Sequence, residues 1–413
     1  MNRTELLNYL IQEREFKSYL EIGVSDEQYN FSRIECAVKI GVDPKPVTTF
    51  QGTSDAFFAQ NQAAFDLIFI DGLHTEEQVL KDIMNACAYL AESGLIVLHD
   101  CLPPDAWHQR ELEEFEAGEN WNGQVWKAIL RFFNRTTYQC VVVDIDWGCG
   151  IIDTSKTQAP ADQDLPERLD YPNHFDLLLP YRISLAAYLR AQVTVFYHLA
   201  CMGNWQEVFV EQMQQLRQSG FRQVNLTLLG SGGDWQTAHD VCQDFDLLAQ
   251  LVFRASELTH FETPSLRAIE VYAQQHPGYV LYLHSKGVSN PGNSIKTRWR
   301  QLMMHELVEK WQQCALQLPY YDVVGVNWRD MGSISHFSGN FWYASTRYLR
   351  TLVDFSTYYA HPQYQIWDAI NDKRLGCEFW IGSSKPARIL SLVCRNKDFC
   401  SEEYWKIFSQ ALA

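Results

Sequence analysis

Residues 65–74 of the chain read Phe-Asp-Leu-Ile-Phe-Ile-Asp-Gly-Leu-His, and residues 93–100 read Ser-Gly-Leu-Ile-Val-Leu-His-Asp. Each stretch is an apolar run of strand length that ends in polar side chains. Between them, residues 76–90 carry apolar side chains at helical spacing, so the segment predicts strand, helix and strand in succession. Parallel strands joined in this way end at one edge of a sheet, where ligands bind. The polar residues expected to meet there are Asp71, His74, His99 and Asp100.

The helix between these strands has recognisable ends in the sequence. Thr75 and Gln78 form a capping-box pattern, which predicts that the helix begins just after His74. Gly94 is expected to end it, after Leu90. This arrangement keeps His74 at the entry to the helix, beside the end of the first of the two strands.

The same alternation of strands and helices extends over residues 1–154. Further strands are predicted at 19–24, 39–42, 138–144 and 148–153. Only a few residues separate the last two, so they are expected to form an antiparallel hairpin at the edge of a mostly parallel sheet. The pattern predicts a Rossmann-like α/β domain.

The amino-acid composition limits which binding partners and which cellular location are expected. The 413 residues include 34 Lys or Arg and 50 Asp or Glu, a formal net charge of −16, so nucleic acid is not expected as a partner. The eleven Cys contain no C-x-x-C pair and are interpreted as reduced thiols. No apolar run is long enough to cross a bilayer, and residues 1–20 lack a signal-peptide pattern. The protein is expected to be cytoplasmic, without membrane insertion.

The second half of the chain follows a break in the pattern. Residues 155–190 contain four prolines among Asp, Gln and Thr, which predicts a linker or an extended brace. Residues 191–413 resume an α/β series. Its predicted elements are strands at 193–198, 224–229, 279–284, 323–327 and 337–344, and helices at 205–219 and 295–318.

Residues 65–74 and 93–100, with Tyr19-Leu20-Glu21-Ile22-Gly23-Val24 and Ile40-Gly41-Val42-Asp43-Pro44, resemble class I S-adenosyl-L-methionine (SAM)-dependent methyltransferases. The resemblance covers residues 19–153 and is closest to the branch that methylates hydroxyl groups of sugars and small molecules. It implies that Glu21 and Gly23 lie beside the methionine part of SAM. It also implies that Asp43 binds the ribose, and that Ser54 or Asp55 lies near the adenine.

Residues 71–74, Asp-Gly-Leu-His, resemble a segment of metal-dependent sugar O-methyltransferases that supplies a metal carboxylate and a general-base histidine. In that family an acidic pair on the next strand completes the metal site. The resemblance implies that Asp71, Asp100 and His99 hold Mg²⁺ or another divalent cation and that His74 is the base, although His99 stands where the family commonly has an acid. Such a site would activate a hydroxyl group, which is otherwise a poor nucleophile. Simple strand capping and local hydrogen bonding remain open as alternatives.

Two tryptophan-containing segments suggest loops over an acceptor pocket. They are Trp121-Asn122-Gly123-Gln124-Val125-Trp126-Lys127 and Trp147-Gly148-Cys149-Gly150. Ordinary core packing of the indole rings is the alternative explanation.

Residues 279–288, Tyr-Val-Leu-Tyr-Leu-His-Ser-Lys-Gly-Val, resemble a strand of GT-A-type glycosyltransferases. In that fold the strand ends in an Asp-x-Asp motif that holds a cation on a sugar nucleotide, and here His284-Ser285-Lys286 stands in its place. Residues 335–342 also resemble the acceptor-side strand of that fold, and residues 377–382 its C-terminal segment. These resemblances imply that the candidates for sugar-nucleotide binding are His284, Lys286, Asn340 and Glu378. A sugar-binding or purely structural domain that has lost the cation site remains open.

Together these features predict a SAM-dependent O-methyltransferase of a saccharide or related small-molecule acceptor, fused to a GT-A-like domain. Its place would be the modification of a surface glycan or a glycosylated metabolite. The alternative is a non-catalytic glycan-binding or assembly protein with a degenerate methyltransferase fold, because no second glycine lies between Gly23 and Gly41 and the Asp-x-Asp motif is absent.

Overall fold

The structure is a computed structural model, and it describes residues 1–46, 49–116, 118–330, 334–358 and 369–393, the last range with side chains from residue 373. The chain divides into two compact units, Met1–Tyr188 and Leu189–Ala413, each described here by itself. Residues 394–413 of the predicted second domain lie outside the described ranges. In the described part of the chain, no helix combines the length and apolar character needed to cross a bilayer.

The first unit is built on an eight-stranded sheet in the order β3-β2-β1-β4-β5-β7-β6-β8. Its strands are β1 (Ser18–Ile22), β2 (Val38–Asp43), β3 (Phe50–Gln51), β4 (Phe65–Ile70), β5 (Leu90–Leu98), β6 (Tyr138–Val143), β7 (Cys149–Thr157) and β8 (Arg182–Ile183). Strands β1 to β5 pair in parallel, and β7 is antiparallel to both β5 and β6. The predicted Rossmann-like sheet with a closing hairpin is confirmed.

Four helices cover the sheet of the first unit: α1 (Arg3–Arg14), α2 (Ser54–Phe58), α3 (Glu76–Ala88) and α4 (Val125–Arg135). Helix α3 buries Val79 and Ile83, and α4 buries Trp126 and Phe133, in one apolar core with the sheet. These residues recur at helical spacing, so burial of one face explains why both segments are helical.

The end of α3 differs from the prediction. The helix ends at Ala88, and β5 begins at Leu90, so Gly94 lies inside a strand instead of ending the helix. The cause is close strand pairing, because a methyl group on Gly94 would crowd the carbonyl oxygen of Asp66 in β4. The capping box is also incomplete. Thr75 accepts from the Gln78 backbone, but the Gln78 side chain points to α2 instead.

The segment predicted as a linker, residues 155–190, packs on the first unit over most of its length. Leu169 and Leu178 are buried in the core of that unit, and β8 pairs in parallel with β6. The apolar side chains between the prolines supply this packing. A short helix, α5 (Leu185–Arg190), follows at the boundary between the two units.

The second unit has a seven-stranded sheet in the order β11-β10-β9-β12-β16-β13-β17, together with a separate pair, β14-β15. Its strands are β9 (Val193–Ala200), β10 (Gln223–Leu229), β11 (Leu248–Ala255), β12 (Tyr279–His284), β13 (Val323–Gly325), β14 (Trp328–Arg329), β15 (His336–Phe337), β16 (Trp342–Ser345) and β17 (Ile389–Ser391). Only β16 runs antiparallel to its neighbours within the seven-stranded sheet. The second α/β sheet is therefore confirmed.

The helices of the second unit depart from the prediction in one long stretch. They are α6 (Trp205–Gln218), α7 (Asp234–Asp244), α8 (Thr263–Gln275), α9 (Ser294–Met304), α10 (Trp311–Gln317), α11 (Thr346–Leu349), α12 (Phe355–Tyr358) and α13 (Ala369–Phe379). The single helix predicted at 295–318 is instead two helices, α9 and α10. Between them, His305–Glu309 form a π-helical turn, which is wider than a turn of α-helix. The strand predicted at 337–344 is likewise divided, because Gly339 and Asn340 adopt left-handed φ angles of 98° and 58°.

Both sheets have a point at which the strand order reverses, as in doubly wound folds. Strand order reverses beside β1 and β4 in the first unit and beside β9 and β12 in the second. Ligands bind such sheets outside the carboxyl ends of the strands, at the point of reversal. The candidate residues of each half follow these strand ends.

Candidate functional site

The first site is built on the ends of three adjacent strands. The Asp71 backbone N–H donates to the Ile22 carbonyl oxygen at 2.8 Å, which ties the end of β4 to that of β1. Gly23 has a φ of 89°, and a methyl group there would overlap the Asp71 carbonyl oxygen. Asp100 also adopts a left-handed φ, 59°. Close packing between strand ends therefore requires glycine at position 23, in addition to any role beside a cofactor.

Asp71, His74 and Asp100 form a compact group of potential cation ligands. One ligand atom from each of these side chains lies within 4.8 Å of the others. His74 Nε2 is 3.3 Å from Asp71 Oδ1, and His74 Nδ1 is 3.7 Å from Asp100 Oδ2. Three of the four polar residues quoted at the outset thus form this group, and the fourth, His99, contacts both carboxylates.

The hydrogen bonds of His74 show what this group is suited to hold. Its Nδ1 lies 3.1 Å from the Trp121 carbonyl oxygen, which can only accept, so Nδ1 carries the hydrogen. A neutral ring then directs the lone pair of Nε2 toward the Asp71 carboxylate. Two acceptors facing each other at 3.3 Å need a cation between them, either a proton or a metal ion. The donor set, two carboxylates and one imidazole, fits a divalent cation.

The loop before α4 holds this group in place, a role that sequence reasoning missed. The Asn122 side chain donates to Asp100 Oδ1 at 2.8 Å, and the Gln124 N–H donates to the His74 carbonyl oxygen at 2.7 Å. Gly123 lies so close to His74 that a methyl group would overlap it. The signal was present in the sequence as Trp-Asn-Gly-Gln, which was associated with an acceptor pocket or with core packing of the indole rings.

His99 is buried and lies beside the carboxylates of this group. Its Nδ1 is 3.4 Å from Asp71 Oδ1 and 3.2 Å from Asp100 Oδ2, but makes no well-aligned hydrogen bond within the described residues. Its Nε2 lies 3.1 Å from Arg3 Nη1 and 3.8 Å from Asp146. Sequence reasoning missed Arg3 and Asp146, because residues so far apart along the chain meet only in the tertiary fold.

The protonation states of the histidines and carboxylates in this cluster depend on one another. Burial lowers the pKa of His99, but Asp71 and the neighbouring carboxylates outweigh it, so the net pKa is raised well above its ordinary value. Burial raises the pKa of Asp71, yet His99 and His74 hold it below its usual range. Arg3 favours the neutral ring of His99, since a guanidinium can donate only to an unprotonated nitrogen.

The residues predicted to bind SAM lie at the ends of β1 and β2. Asp43 is buried, and its two oxygens accept from the backbone N–H groups of Ser25 and Lys45, both at 2.8 Å. Each oxygen keeps a second lone pair that can accept a ribose hydroxyl. Glu21 accepts from Tyr19 Oη at 2.6 Å, and burial raises the pKa of Glu21 to about 7.

Ser54 and Asp55 start helix α2 and meet the first turns of α3. Gln78 Nε2 donates to Ser54 Oγ at 3.1 Å and to Asp55 Oδ1 at 3.3 Å, and Lys81 pairs with Asp55 at 2.5 Å. Buried Asp82 also accepts from Gln78, and burial raises the pKa of Asp82 to about 6. Sequence reasoning assigned Gln78 only to a capping box with Thr75 and missed Asp82.

The four candidates of the second unit lie around the end of β12. His284 Nε2 is 2.9 Å from the Gly339 carbonyl oxygen, and the Gly339 N–H donates to Glu378. The Asn340 side chain donates to Glu262 at 2.7 Å. Burial, with the charge of Lys286, lowers the pKa of His284 to about 3. His284 is thus neutral, and Lys286 Nζ lies 4.0 Å from the centre of the Trp299 ring.

Comparisons with known proteins agree with the division into two units. Residues 21–101 match a family described as a methyltransferase domain, and residues 196–385 match a domain of unknown function, DUF8361. None of the curated proteins compared with the chain matches it. The first unit contains a methyltransferase domain.

Several solved structures are similar to parts of the chain. One is a methyltransferase from Podospora anserina with bound SAH, 14% identical over 36% of this chain and 76% of that one, with a TM-score of 0.28. Another is the MycE methyltransferase of mycinamycin biosynthesis with Mg, SAH and mycinamycin VI, 14% identical over 39% and 50%, with a TM-score of 0.26. A third is TarS residues 1–349 from S. aureus, 11% identical over 50% and 58%, with a TM-score of 0.28.

Proposed function

We propose that the first unit methylates a hydroxyl oxygen of a saccharide or related small molecule, using a divalent cation held by Asp71 and Asp100. The observation that carries this proposal is the pair of acceptor atoms, His74 Nε2 and Asp71 Oδ1, that face each other at 3.3 Å. If Asp71 binds the cation, His74 Nε2 stays unprotonated and can accept the proton of a hydroxyl group, whose pKa the cation would lower. The oxygen ligands favour Mg²⁺.

Within this site His74 receives the proton of the acceptor hydroxyl at Nε2. The Trp121 carbonyl keeps the ring in the tautomer whose Nε2 is basic, and Asp71 stabilises the imidazolium that results. Asn122 fixes the orientation of the Asp100 carboxylate. The bound cation would lower the pKa of the acceptor hydroxyl, and the sulfonium of SAM would supply the activated methyl group. His99 holds Asp71 and Asp100 in position by contacting both carboxylates, and it is not itself a ligand of the cation.

The cofactor would lie along the ends of β1 and β2, as the sequence resemblance implies. The Asp43 oxygens, anchored by Ser25 and Lys45, are oriented before any ribose binds, which limits the entropy lost on binding. Gly23 allows the backbone there to approach the ligand. Glu21 lies beside the methionine part of SAM, and Ser54 and Asp55 near the adenine.

For the second unit we propose a glycosyltransferase-like domain that binds a sugar nucleotide at the end of β12 without a metal ion. The described residues of this unit contain no group of three side chains suited to a cation. Because His284 is neutral, Lys286 is the residue that would face the pyrophosphate charge. Asn340 and Glu378 shape the adjoining turn. Tethering the two units would raise the effective concentration of one product at the other site, in glycan or glycosylated-metabolite modification.

Calorimetric titration of SAM tests the first unit, using the full chain and an Asp43→Ala variant with and without Mg²⁺. We expect micromolar binding to the wild type and a loss of at least tenfold in the variant, since each ribose hydroxyl loses a charged acceptor. Asp144→Ala is the matched control, because Asp144 is an exposed carboxylate of the same unit paired with Arg182. Equal binding by all three proteins would contradict the assigned cofactor site.

Turnover separates this proposal from the non-catalytic alternative. Transfer of labelled methyl groups to saccharides that stops in His74→Ala supports the enzyme. Binding of SAM and of saccharide with no turnover in the wild type, with or without Mg²⁺, would favour a glycan-binding protein with a degenerate methyltransferase fold.

A further inference from the structure

The turn between β6 and β7 is held in an unfavourable backbone conformation. Asp146, Trp147 and Gly148 have φ angles of 45°, 67° and 90°, three left-handed residues in succession. Only the glycine adopts this region at little cost, and a bulky residue such as Trp is rarely found there. Strain of this kind persists where the surrounding structure imposes it, and it concentrates at functional sites.

Contacts with the candidate active site impose this conformation. The Arg3 N–H donates to Asp146 Oδ2 at 2.9 Å, and the same oxygen lies 3.8 Å from His99 Nε2. On the other side, the Leu102 N–H donates to the Trp147 carbonyl oxygen at 2.8 Å. Leu102 follows Asp100 by two residues. The turn is therefore clamped between the buried His99 and the segment that carries a proposed cation ligand.

The result of this clamping is an exposed aromatic surface. The Trp147 side chain is 41% exposed although tryptophan is usually buried, and its ring stacks on His108 with centroids 5.4 Å apart. His108 Nδ1 lies 2.8 Å from Asp105, a carboxylate that is 58% exposed. The His108 carbonyl oxygen accepts from the Asn122 N–H at 2.8 Å, and Asn122 holds Asp100. His108 is thus connected to Asp100 through Asn122, and Trp147 through the chain segment from Leu102 to Asp100.

We propose that Trp147 and His108 form a platform on which the pyranose ring of the methyl acceptor stacks, with Asp105 accepting hydrogen bonds from its hydroxyl groups. The inference rests on the proposed function, because it concerns the acceptor of the same site. A pyranose presents an apolar C–H face to an aromatic ring and hydroxyl groups at its rim. One open aromatic face with a carboxylate at its edge suits that pattern. A planar phenol would instead be enclosed by apolar walls on both faces.

Ligand-observed NMR in the presence of SAH tests the platform without requiring turnover. The probes are methyl α-D-glucopyranoside and methyl α-L-rhamnopyranoside, with caffeic acid as the phenolic arm. We expect pyranoside binding to weaken about tenfold in Trp147→Ala and less in Trp147→Phe, because phenylalanine retains part of the aromatic face. Asp105→Asn should weaken the pyranosides and leave caffeic acid unaffected. SAH affinity, measured by calorimetry, should be equal in all variants if the fold is intact.

The matched control is Trp235→Ala, since Trp235 also packs beside a histidine, His239, but in the second unit. Pyranoside affinity unchanged in Trp147→Ala, no pyranoside binding by the wild type, or tighter binding of caffeic acid would each overturn the platform. Methyl transfer is then measured separately with labelled SAM. Pyranoside binding that depends on Trp147, without any transfer, would leave the platform standing and refute the proposed methyltransferase reaction on sugars.

Discussion

Both units place histidines near the carboxyl ends of sheet strands and give them opposite surroundings. In the first unit, His74 and His99 follow β4 and β5 and are surrounded by Asp71, Asp100 and Asp146. In the second, His198 and His284 lie near the ends of β9 and β12, where burial lowers their pKa values to about 4 and about 3.

This difference shows that sheets of similar strand order can hold histidines in electrostatically opposite surroundings. The carboxylates of the first unit raise the pKa of both histidines despite burial and create a group suited to a cation. In the second unit, the positive charge of Lys286 beside His284 disfavours a cation. The points at which the strand order reverses in the two sheets are therefore expected to bind ligands of opposite charge.

The largest effect is expected from removing the carboxylates that distinguish the first unit. Asp71→Asn and Asp100→Asn should each lower methyl transfer by about 10²- to 10⁴-fold, because proton removal and cation binding both depend on them. The assay is transfer of labelled methyl groups, with Mn²⁺ binding followed calorimetrically. Asp144→Asn should match the wild type. A loss below tenfold for either variant would show that the carboxylates are structural only.

Each unit has a glycine that packs closely against the backbone at a neighbouring strand end, and substitution of these glycines should have the next largest effect. A methyl group on Gly23 would overlap Asp71, and one on Gly203 would overlap the Val288 carbonyl oxygen after β12. Gly118 has a φ of 99° but no atom within 4 Å of the added carbon. Gly23→Ala and Gly203→Ala should therefore each cost about 3 kcal/mol or more, and Gly118→Ala about 1 kcal/mol. Urea unfolding measures all three, and equal losses would contradict a packing role.

Acid should destabilise the second unit through its neutral histidines. Their folded-state pKa values, about 4 and about 3, lie below the unfolded value of 6.5, so the unfolded chain binds protons first as the pH falls. Between pH 7 and pH 5 each imidazole should cost about 2 kcal/mol of stability. The test is urea unfolding across this range in the wild type and in His198→Asn. An identical pH dependence in the two proteins would show that His198 is solvated.

The smallest effect is expected in the pH dependence of the stability of the first unit. Its cause is Glu21, at the end of β1. Burial raises the pKa of Glu21 to about 7, above its unfolded value of 4.5, so stability is lost as the pH rises from 4.5 through 7. Between pH 6 and pH 8 this should amount to about 1 kcal/mol. Glu21→Gln should abolish that part of the dependence, which urea unfolding at both pH values measures. If the variant keeps the wild-type slope, Glu21 is ionised throughout.

Local patterns predicted the first unit better than the second. Apolar runs that end in Asp71 and Asp100 located β4 and β5, because a buried parallel strand leaves a continuous apolar signature. The boundary at Gly94 was wrong, since a glycine that ends a helix and one that admits a neighbouring strand look alike in sequence. In the second unit, β11 was not predicted, because it is an edge strand with mostly exposed side chains.

The sequence by itself determined the α/β class, the order of the strands that form the first site and the residue types at their ends. These properties follow from apolar periodicity and residue chemistry, which are local. Only the tertiary structure decided that Trp121 sets the tautomer of His74, that Arg3 reaches His99, and that the Trp147 turn is clamped beside Asp100. Each of these contacts joins residues that no local pattern relates, and their energies arise only once the chain has folded.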